Sequence, residues 1–409
     1  MDKSNRQVSD IEIVIVGAGL IGSSVAMHLA AQGITDVAVL DVDLEGSYSS
    51  SELNAGGVRV TWNHPLNVLL SKNSIDYFET VADEIGFRQR GYFWMYAKEK
   101  WEAAAAKLRT YSELKNAPID FLSANQVHER HPFIDKIDDI GGATLSKKDG
   151  LLNPNLLKLH YRANAKKSGI EFLDRHWVEG ASISKDSIVL KVRKFSELSD
   201  NNLKQVLLES NSPTGKSVEI KCKKLINCSG AWADRFAKML GTKSNSHAVR
   251  RQVSIFECRD IDITKSGMFV DPSGVYFHPE ANHILGGFAI ENEPPGYNLN
   301  SDGADFFQTH IWPALFARSS KFENLKYVTG WAGLYEVSPD RSPIIGTVGG
   351  FKNVFEAHSF SGRGVMQSYA TGLALAELIV RGRYETLDLA ALNGERFTQG
   401  KLVTEGLLI

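Results

Sequence analysis

Apolar and polar positions along this chain follow two periods, and the changes from one to the other mark out its elements. Residues 11–16, Ile-Glu-Ile-Val-Ile-Val, form a short β-branched run that predicts a buried parallel strand. Gly17-Ala18-Gly19-Leu20-Ile21-Gly22 follows, then an Ala/Leu/Met segment of helical period ending near Gly33, then a second apolar strand over 37–40. Residues 65–85 predict one helix, with proline in its first turn, Leu66, Leu69, Leu70, Tyr77, Val81 and Ile85 at helical spacing, and Gly86 as its stop. A strand over 91–96 precedes a charged, alanine-rich helix over 98–114 with a solvated face. Residues 121–132 have no regular period, and 155–167 read as helix.

Further on, 169–172 and 177–178 read as short strands. Residues 187–222 alternate apolar and polar positions around a polar loop at 196–202 and a turn at 211–215, which predicts a β-meander. Residues 225–232 read as a buried strand entering a glycine turn. Strands at 253–256, 275–278 and 283–287 predict a mostly antiparallel sheet, and 302–320 a helix. A last glycine turn, Phe360-Ser361-Gly362-Arg363-Gly364, opens a helix over 365–380.

The first glycine cluster carries chemistry. It is a G-x-G-x-x-G within a strand–helix–strand unit, with Asp41 following 19 residues after Gly22. Gly17 permits the tight turn, Gly19 lets a pyrophosphate approach the backbone, and Gly22 lets the helix lie close on the strand. The free N–H groups and positive dipole end of that helix face the phosphates, and Asp41 can accept both hydroxyl hydrogens of an adenosine ribose. The small and hydroxylated residues of 46–59 let backbone approach a ligand closely; Ser49 with Glu52 also fits a capping box. The second glycine turn, more than 300 residues further on, again presents N–H groups and a dipole end. A flavin pyrimidine, which gains charge on reduction, fits that demand.

Composition narrows the class. At 409 residues, 43% hydrophobic and 23% charged, the chain suits two domains. A net charge of −2 gives no reason to expect nucleic acid or an anionic membrane as partner. No apolar run reaches membrane-spanning length and the first ten residues are polar. Cys222, Cys228 and Cys258 form no C-x-x-C pair and read as reduced thiols, so the expected compartment is the cytoplasm and no metal site is expected.

With these residues in view the chain resembles the FAD-dependent amine oxidoreductases of the D-amino-acid oxidase, glycine oxidase and sarcosine oxidase superfamily. The beta subunit of heterotetrameric sarcosine oxidases and the dimethylglycine-dehydrogenase-like proteins are the most similar. Four blocks carry it: the N-terminal strand–helix–strand unit; Asn54-Ala55-Gly56-Gly57-Val58-Arg59; residues 274–280; and 331–346 with 360–364. The resemblance implies an α/β (α+β) fold with a discontinuous, Rossmann-like FAD-binding domain (1–86, 142–232 and 325–409). An antiparallel-sheet substrate domain (87–141 and 233–324) would roof the flavin. It implies hydride transfer from the carbon beside an amine nitrogen to flavin N5, giving an imine that water hydrolyses. The expected substrate is a secondary or tertiary amino acid such as a sarcosine-like N-methyl amino acid, with O2 or another electron acceptor.

By the same resemblance Gly17, Gly19, Gly22 and Asp41 match ADP-binding positions. Ser50, Ser51, Asn54 and Gly57 match the pyrophosphate and flavin segment, Val178 the adenine contact, and Gly362, Arg363 and Gly364 the pyrimidine turn. Their neighbours Leu20, Ile21, Val42, Ala55, Gly56, Val58, Ser229, Gly230, Trp232, Gly333, Ser361, Val365 and Met366 are expected to touch the cofactor too. Arg59 matches a basic residue near the flavin and Tyr276 a tyrosine beside the substrate carboxylate; these two are the catalytic candidates.

The chain also departs from its relatives. No cysteine follows Cys258, where monomeric sarcosine oxidases attach flavin near the position of Gly333, and no histidine attachment pattern stands near the N-terminus, so FAD is expected to be non-covalent. Met366 stands where a carboxylate-binding lysine is placed in monomeric oxidases, and Tyr335 where glycine oxidase uses an arginine. The 284–286 strand lacks the oxygen-activating lysine. His278 and His283 read either as acid–base groups or as sheet histidines. Adjacent Arg250 and Arg251 point to opposite faces of a strand, so at most one lines the pocket. Oxidation of a primary or D-amino acid or of glycerol 3-phosphate, and a non-catalytic FAD-containing subunit with a protein partner, are the competing readings.

Overall fold

The computed structural model describes residues 10–114, 118–185 and 187–407. Residues 1–9 and 408–409, which the expected domain segments include, lie outside the described residues.

Two eight-stranded sheets organise the chain. In the first, Ile11–Val16 lies between Val37–Leu40 and Gly215–Asn227, parallel to both, with Ile13 opposite Val37 and Lys224. Glu171–Leu173 extends it in parallel beyond Val37–Leu40, and Val354–His358 extends it beyond Gly215–Asn227. The β-branched run is buried because helices cover it: Leu20–Ala31, Pro65–Thr80, Pro154–Lys167 and Gly364–Arg381 share one apolar core with Ile13 and Ile15. Burial on both faces explains why the central strands are apolar without alternation.

The second sheet has the order Lys326–Val337, His247–Glu257, His283–Phe288, Tyr276–Glu280, Met268–Val270, Tyr92–Ala97, Ile140–Ser146, Ile119–Ser123. All its pairings are antiparallel except that of Met268–Val270 with Tyr92–Ala97. Strands Ile140–Ser146 and Lys326–Val337 belong here, although the expected boundaries placed residues 142–146 of the first and all of the second in the cofactor domain. Lys326–Val337 pairs along its length with His247–Glu257, which draws it into this sheet.

Several local expectations are corrected. The 187–222 stretch is not a plain meander: Ile188–Phe195 and Gly215–Asn227 pair antiparallel, but helix Asp200–Glu209 lies between them, with the Ser199 hydroxyl accepting from Asn202 N at 3.4 Å. Leu203, Val206 and Leu207 bury its apolar face. Residues 121–132 are regular, carrying the end of Ile119–Ser123 and helix Ala124–Arg130 behind a Ser123/Gln126 capping box. The 65–85 helix breaks at Val81 into Pro65–Thr80 and Ala82–Ile85, with Gly86 left-handed at the end. Helix 302–320 contains a wider turn over Phe307–Ile311. Ser49 accepts from Glu52 N at 3.1 Å in a turn and starts no helix.

Candidate functional site

Two adjacent cavities lie where the sheets meet, and both glycine turns border them. The larger, about 450 Å³, begins at Gly17, Gly19 and Asp41 and reaches Gly362, Gly364 and Val365. The smaller, about 80 Å³, lies under the second sheet and shares Ser50, Asn54, Leu334, Tyr335 and Gly362 with the first. The larger falls in the size range of small-molecule sites.

The first turn owes its shape to backbone crowding. Gly17 has φ +102°, and a Cβ there would lie 2.3 Å from the Cys228 carbonyl oxygen; one on Gly22 would lie 1.9 Å from that of Gly17. Gly19 is different, since its Cβ would meet only the Ser51 hydroxyl at 3.1 Å. The helix it caps has no acid in its first turn, and Leu20 N donates to Ser51 Oγ at 3.0 Å. Asp41 closes the turn from below, its carboxylate accepting Ala18 N at 2.5 Å and Asp43 N at 3.0 Å. Burial pushes its pKa up, against the lowering effect of those two N–H donors.

Two cations missed by sequence reasoning brace this end. Arg162 donates to the Ala18 and Leu44 carbonyls, and Lys158 bonds Glu52 Oε2 at 2.5 Å and the Glu45 carbonyl at 2.8 Å. Both line the larger cavity. Their spacing of four on helix Pro154–Lys167 put them on one face, which was the available signal.

The second turn is held in a left-handed arrangement: φ is +62° at Ser359, +50° at Ser361 and +89° at Gly362. A Cβ on Gly362 would sit 2.5 Å from the Tyr335 ring. Helix Gly364–Arg381 starts here without a side-chain cap, so its first N–H groups are left for a ligand.

Of the expected cofactor residues, Gly17, Gly19, Leu20, Ile21, Asp41, Val42, Ser51, Val178, Ser229, Gly230, Trp232, Gly364 and Val365 border the larger cavity. Ala55, Gly57, Gly333, Ser361, Arg363 and Met366 border the smaller, as do the catalytic candidates Arg59 and Tyr276. Ser50, Asn54 and Gly362 border both. Gly22, Gly56 and Val58 border neither. Gly22 lies against the Gly17 carbonyl, a Cβ on Gly56 would lie 2.3 Å from the Leu152 carbonyl oxygen, and Val58 is buried in the core.

The small chamber is walled by arginines and aromatic rings. Arg59 stacks 3.6 Å over Trp62 and 4.6 Å over Trp94. Its terminal nitrogens donate to the Thr61 and Leu407 carbonyls at 2.8 and 2.7 Å, so its hydrogen bonds are largely spent on backbone. The strand alternation at Arg250 and Arg251 resolves cleanly. Arg250 turns to Glu293 at 2.6 Å and Asp302 at 2.9 Å, while Arg251 borders the chamber with its guanidinium 5.5 Å from the Tyr335 ring. Arg251 Nε is buried without a hydrogen-bond partner among the described residues. Tyr276 crosses the floor, where a Cβ on Gly287 would lie 2.3 Å from its ring. Burial pushes the Tyr276 phenol well above its usual pKa.

Glu336 was also missed. Its Oε2 is buried and unpartnered among the described residues, beside the larger cavity. Burial raises its pKa to about 6. An unpaired acceptor beside this cavity suits a ligand hydroxyl, and with the uncapped helix ends it makes the cavity chemically fit for an extended FAD. His278 is a packed sheet histidine outside the chamber lining. Its Nδ1 bonds the Pro279 carbonyl at 2.8 Å, and burial pushes its pKa down to about 4. Among the described residues no cluster of three or more His, Cys, Asp or Glu side chains is arranged to hold a metal, and no helix is long and apolar enough to cross a membrane.

Known proteins are similar to this chain in sequence and fold. The chain is 28% identical to FAD-dependent oxidoreductase domain-containing protein 1 of Xenopus laevis, over 94% of this chain and 82% of that protein. It is 23% identical to mitochondrial dimethylglycine dehydrogenase of Rattus norvegicus over 96% of this chain, which spans 45% of that longer protein. The L-proline dehydrogenase of P. horikoshii has the same fold, with a TM-score of 0.84 at 24% identity, covering 96% of this chain and 99% of that one. Glycine oxidase from Geobacillus kaustophilus gives 0.77 at 19% identity, covering 94% and 98%. The model of the family described as DAO, FAD dependent oxidoreductase, matches residues 12–378, and the chain belongs to that family.

Proposed function

We propose that this FAD-dependent oxidoreductase oxidises a secondary or tertiary amino acid, of the sarcosine-like N-methyl type, to an imine that water hydrolyses. The observation that carries the reading is the small chamber, where Arg251, Tyr276 and Tyr335 border one space that shares Gly362 with the larger cavity. Arg251 would hold the substrate carboxylate, and the unpartnered Nε supports that role. FAD would lie along the larger cavity from Gly17 to Gly362, held without a covalent bond, and supplies the two-electron acceptor when bound. Trp62, Trp331, Met268 and Met366 exclude water around the amine. Among the described residues no Asp, Glu, His or Lys lines the chamber, which suits a substrate whose amine enters as the free base.

Two relatives support an amino-acid substrate through their names, dimethylglycine dehydrogenase and L-proline dehydrogenase, both of which name an amino acid with a substituted amine. A cytoplasmic setting belongs to the same reading and rests on three free thiols. Turnover with a panel of N-methyl amino acids and an artificial electron acceptor, read as aldehyde or oxo-acid release, tests it. If only glycine or D-amino acids give product, the reaction type survives and the substrate class is wrong; if only glycerol 3-phosphate is oxidised, to a ketone, the reaction type is wrong too. If the protein retains FAD, yields no product from any of them and co-purifies with another protein, it is a complex subunit and the proposal fails.

A further inference from the structure

The guanidinium donors of the small chamber are more than one carboxylate can use. Among the described residues three arginines, Arg59, Arg251 and Arg363, border it, and no acidic side chain does. None of the acids whose charge reaches these arginines is bonded to them, and Asp149, like Glu405, spends its oxygens on other donors, Val60 N reaching its Oδ1 at 2.7 Å. Glu293 is bonded to Arg250, Asp340 to Arg396 at 2.7 Å, and Glu405 to the Asn63 and His64 N–H groups at 3.0 and 3.1 Å. Arg363 is 1% exposed and lies 5.0 Å from the Trp62 ring. Its Nε donates to the Phe360 carbonyl at 3.2 Å, but Nη1 and Nη2 have no partner among the described residues. Burial draws its pKa down to about 9, outweighing the raising effect of the Glu405 carboxylate.

Buried charge of one sign is costly unless a partner supplies the other. Arg59 has its terminal nitrogens tied to backbone and acts as a fixed charge. Arg251 and Arg363 each keep unused donors, and they come from different elements, strand His247–Glu257 and the turn before helix Gly364–Arg381. A guanidinium with both terminal nitrogens unused matches a carboxylate in bidentate fashion.

We infer that the substrate carries two carboxylates flanking the amine, one taken by Arg251 and the other by Arg363, so that the enzyme prefers an amino dicarboxylate to a simple N-methyl amino acid. This rests on the amino-acid reading above but names a narrower class. Its test is equilibrium binding to the holoenzyme of two unreactive thioether analogues. Thiodiglycolate has two carboxylates and (methylthio)acetate one, and both are followed by tryptophan fluorescence and by perturbation of the flavin spectrum.

Thiodiglycolate is expected to bind at least about tenfold tighter, one charge-assisted contact being worth at least that factor. In R363L the ratio of the two dissociation constants should collapse towards one, and in R363K, which keeps the charge, part of the preference should return. Equal affinities in the wild type overturn the inference even if R363L does not fold. So does an R363L protein that keeps the ratio while its flavin potential falls, because Arg363 then serves the cofactor. The binding ratio needs no turnover, so failure of every amino acid to react would count against the proposed function and leave this result to be judged separately.

Discussion

Replacing Arg251 with methionine should weaken substrate binding without slowing the chemistry in proportion. Arg251 leans on the Tyr335 ring, spends Nη1 on the Arg250 carbonyl at 2.9 Å and has no bond at Nε. A hydrogen bond to a charged group contributes about 1.5–3 kcal/mol. At about 1.4 kcal/mol per factor of ten, its loss raises the substrate dissociation constant about 10- to 150-fold. The fold itself should not suffer. Desolvation already draws the Arg251 pKa down, so removing a half-buried cation that makes no ion pair among the described residues relieves a cost. Anaerobic stopped-flow reduction of the flavin at rising substrate concentration separates the two effects: the half-saturating concentration should rise while the limiting rate changes far less, and the unfolding temperature should stay level or rise. An unchanged half-saturating concentration, or a loss of stability with no change in binding, would refute the assignment of Arg251 to the carboxylate.

Gly362→Ala places a Cβ against the Tyr335 ring at φ +89°, a conformation that costs a non-glycine residue about 1–2 kcal/mol before the clash is counted. The purified variant should lose FAD on dialysis that the wild type withstands, measured as the visible-to-ultraviolet absorbance ratio. Glu336 has a folded pKa near 6, above its unfolded value of 4.5, so its contribution to apoprotein stability is present in full below pH 4.5 and lost as pH rises through 6. The loss amounts to about 2 kcal/mol. E336Q apoprotein should show a flatter dependence of unfolding temperature on pH across that window, and an unchanged slope would contradict the assignment. Among the described residues no lysine lines the chamber and none lies in strand His283–Phe288, so reduced enzyme should react slowly with O2 and faster with an artificial acceptor. Rapid peroxide release in air would contradict this.

The parts legible in the sequence were those with one physical solution. Gly17 could be read because a strand-to-helix turn against the Cys228 carbonyl admits no side chain. The apolar runs could be read because burial on both faces leaves no polar positions. Helix Asp200–Glu209 was hidden because its cap, Ser199, sits in a polar stretch that also reads as loop, and three buried side chains are a short helical signal. Arg250 and Arg251 are equivalent in the sequence. Only the pairing of Arg251 with Gly333, and of Arg250 with Leu334, fixes which of them faces the chamber. Glu336 shows the same limit, since its lack of a partner is a property of the assembled cavity.

The central claim is that an amino acid bound beside Arg251 reduces FAD held between the two glycine turns. Its most direct test is to mix the purified, flavin-loaded protein anaerobically with substituted amino acids bearing one or two carboxylates and follow the visible flavin absorbance. The account predicts loss of that absorbance with at least one of them, saturating with concentration and weakened in the Arg251→Met protein. A flavin spectrum that stays oxidised across the whole panel would contradict it.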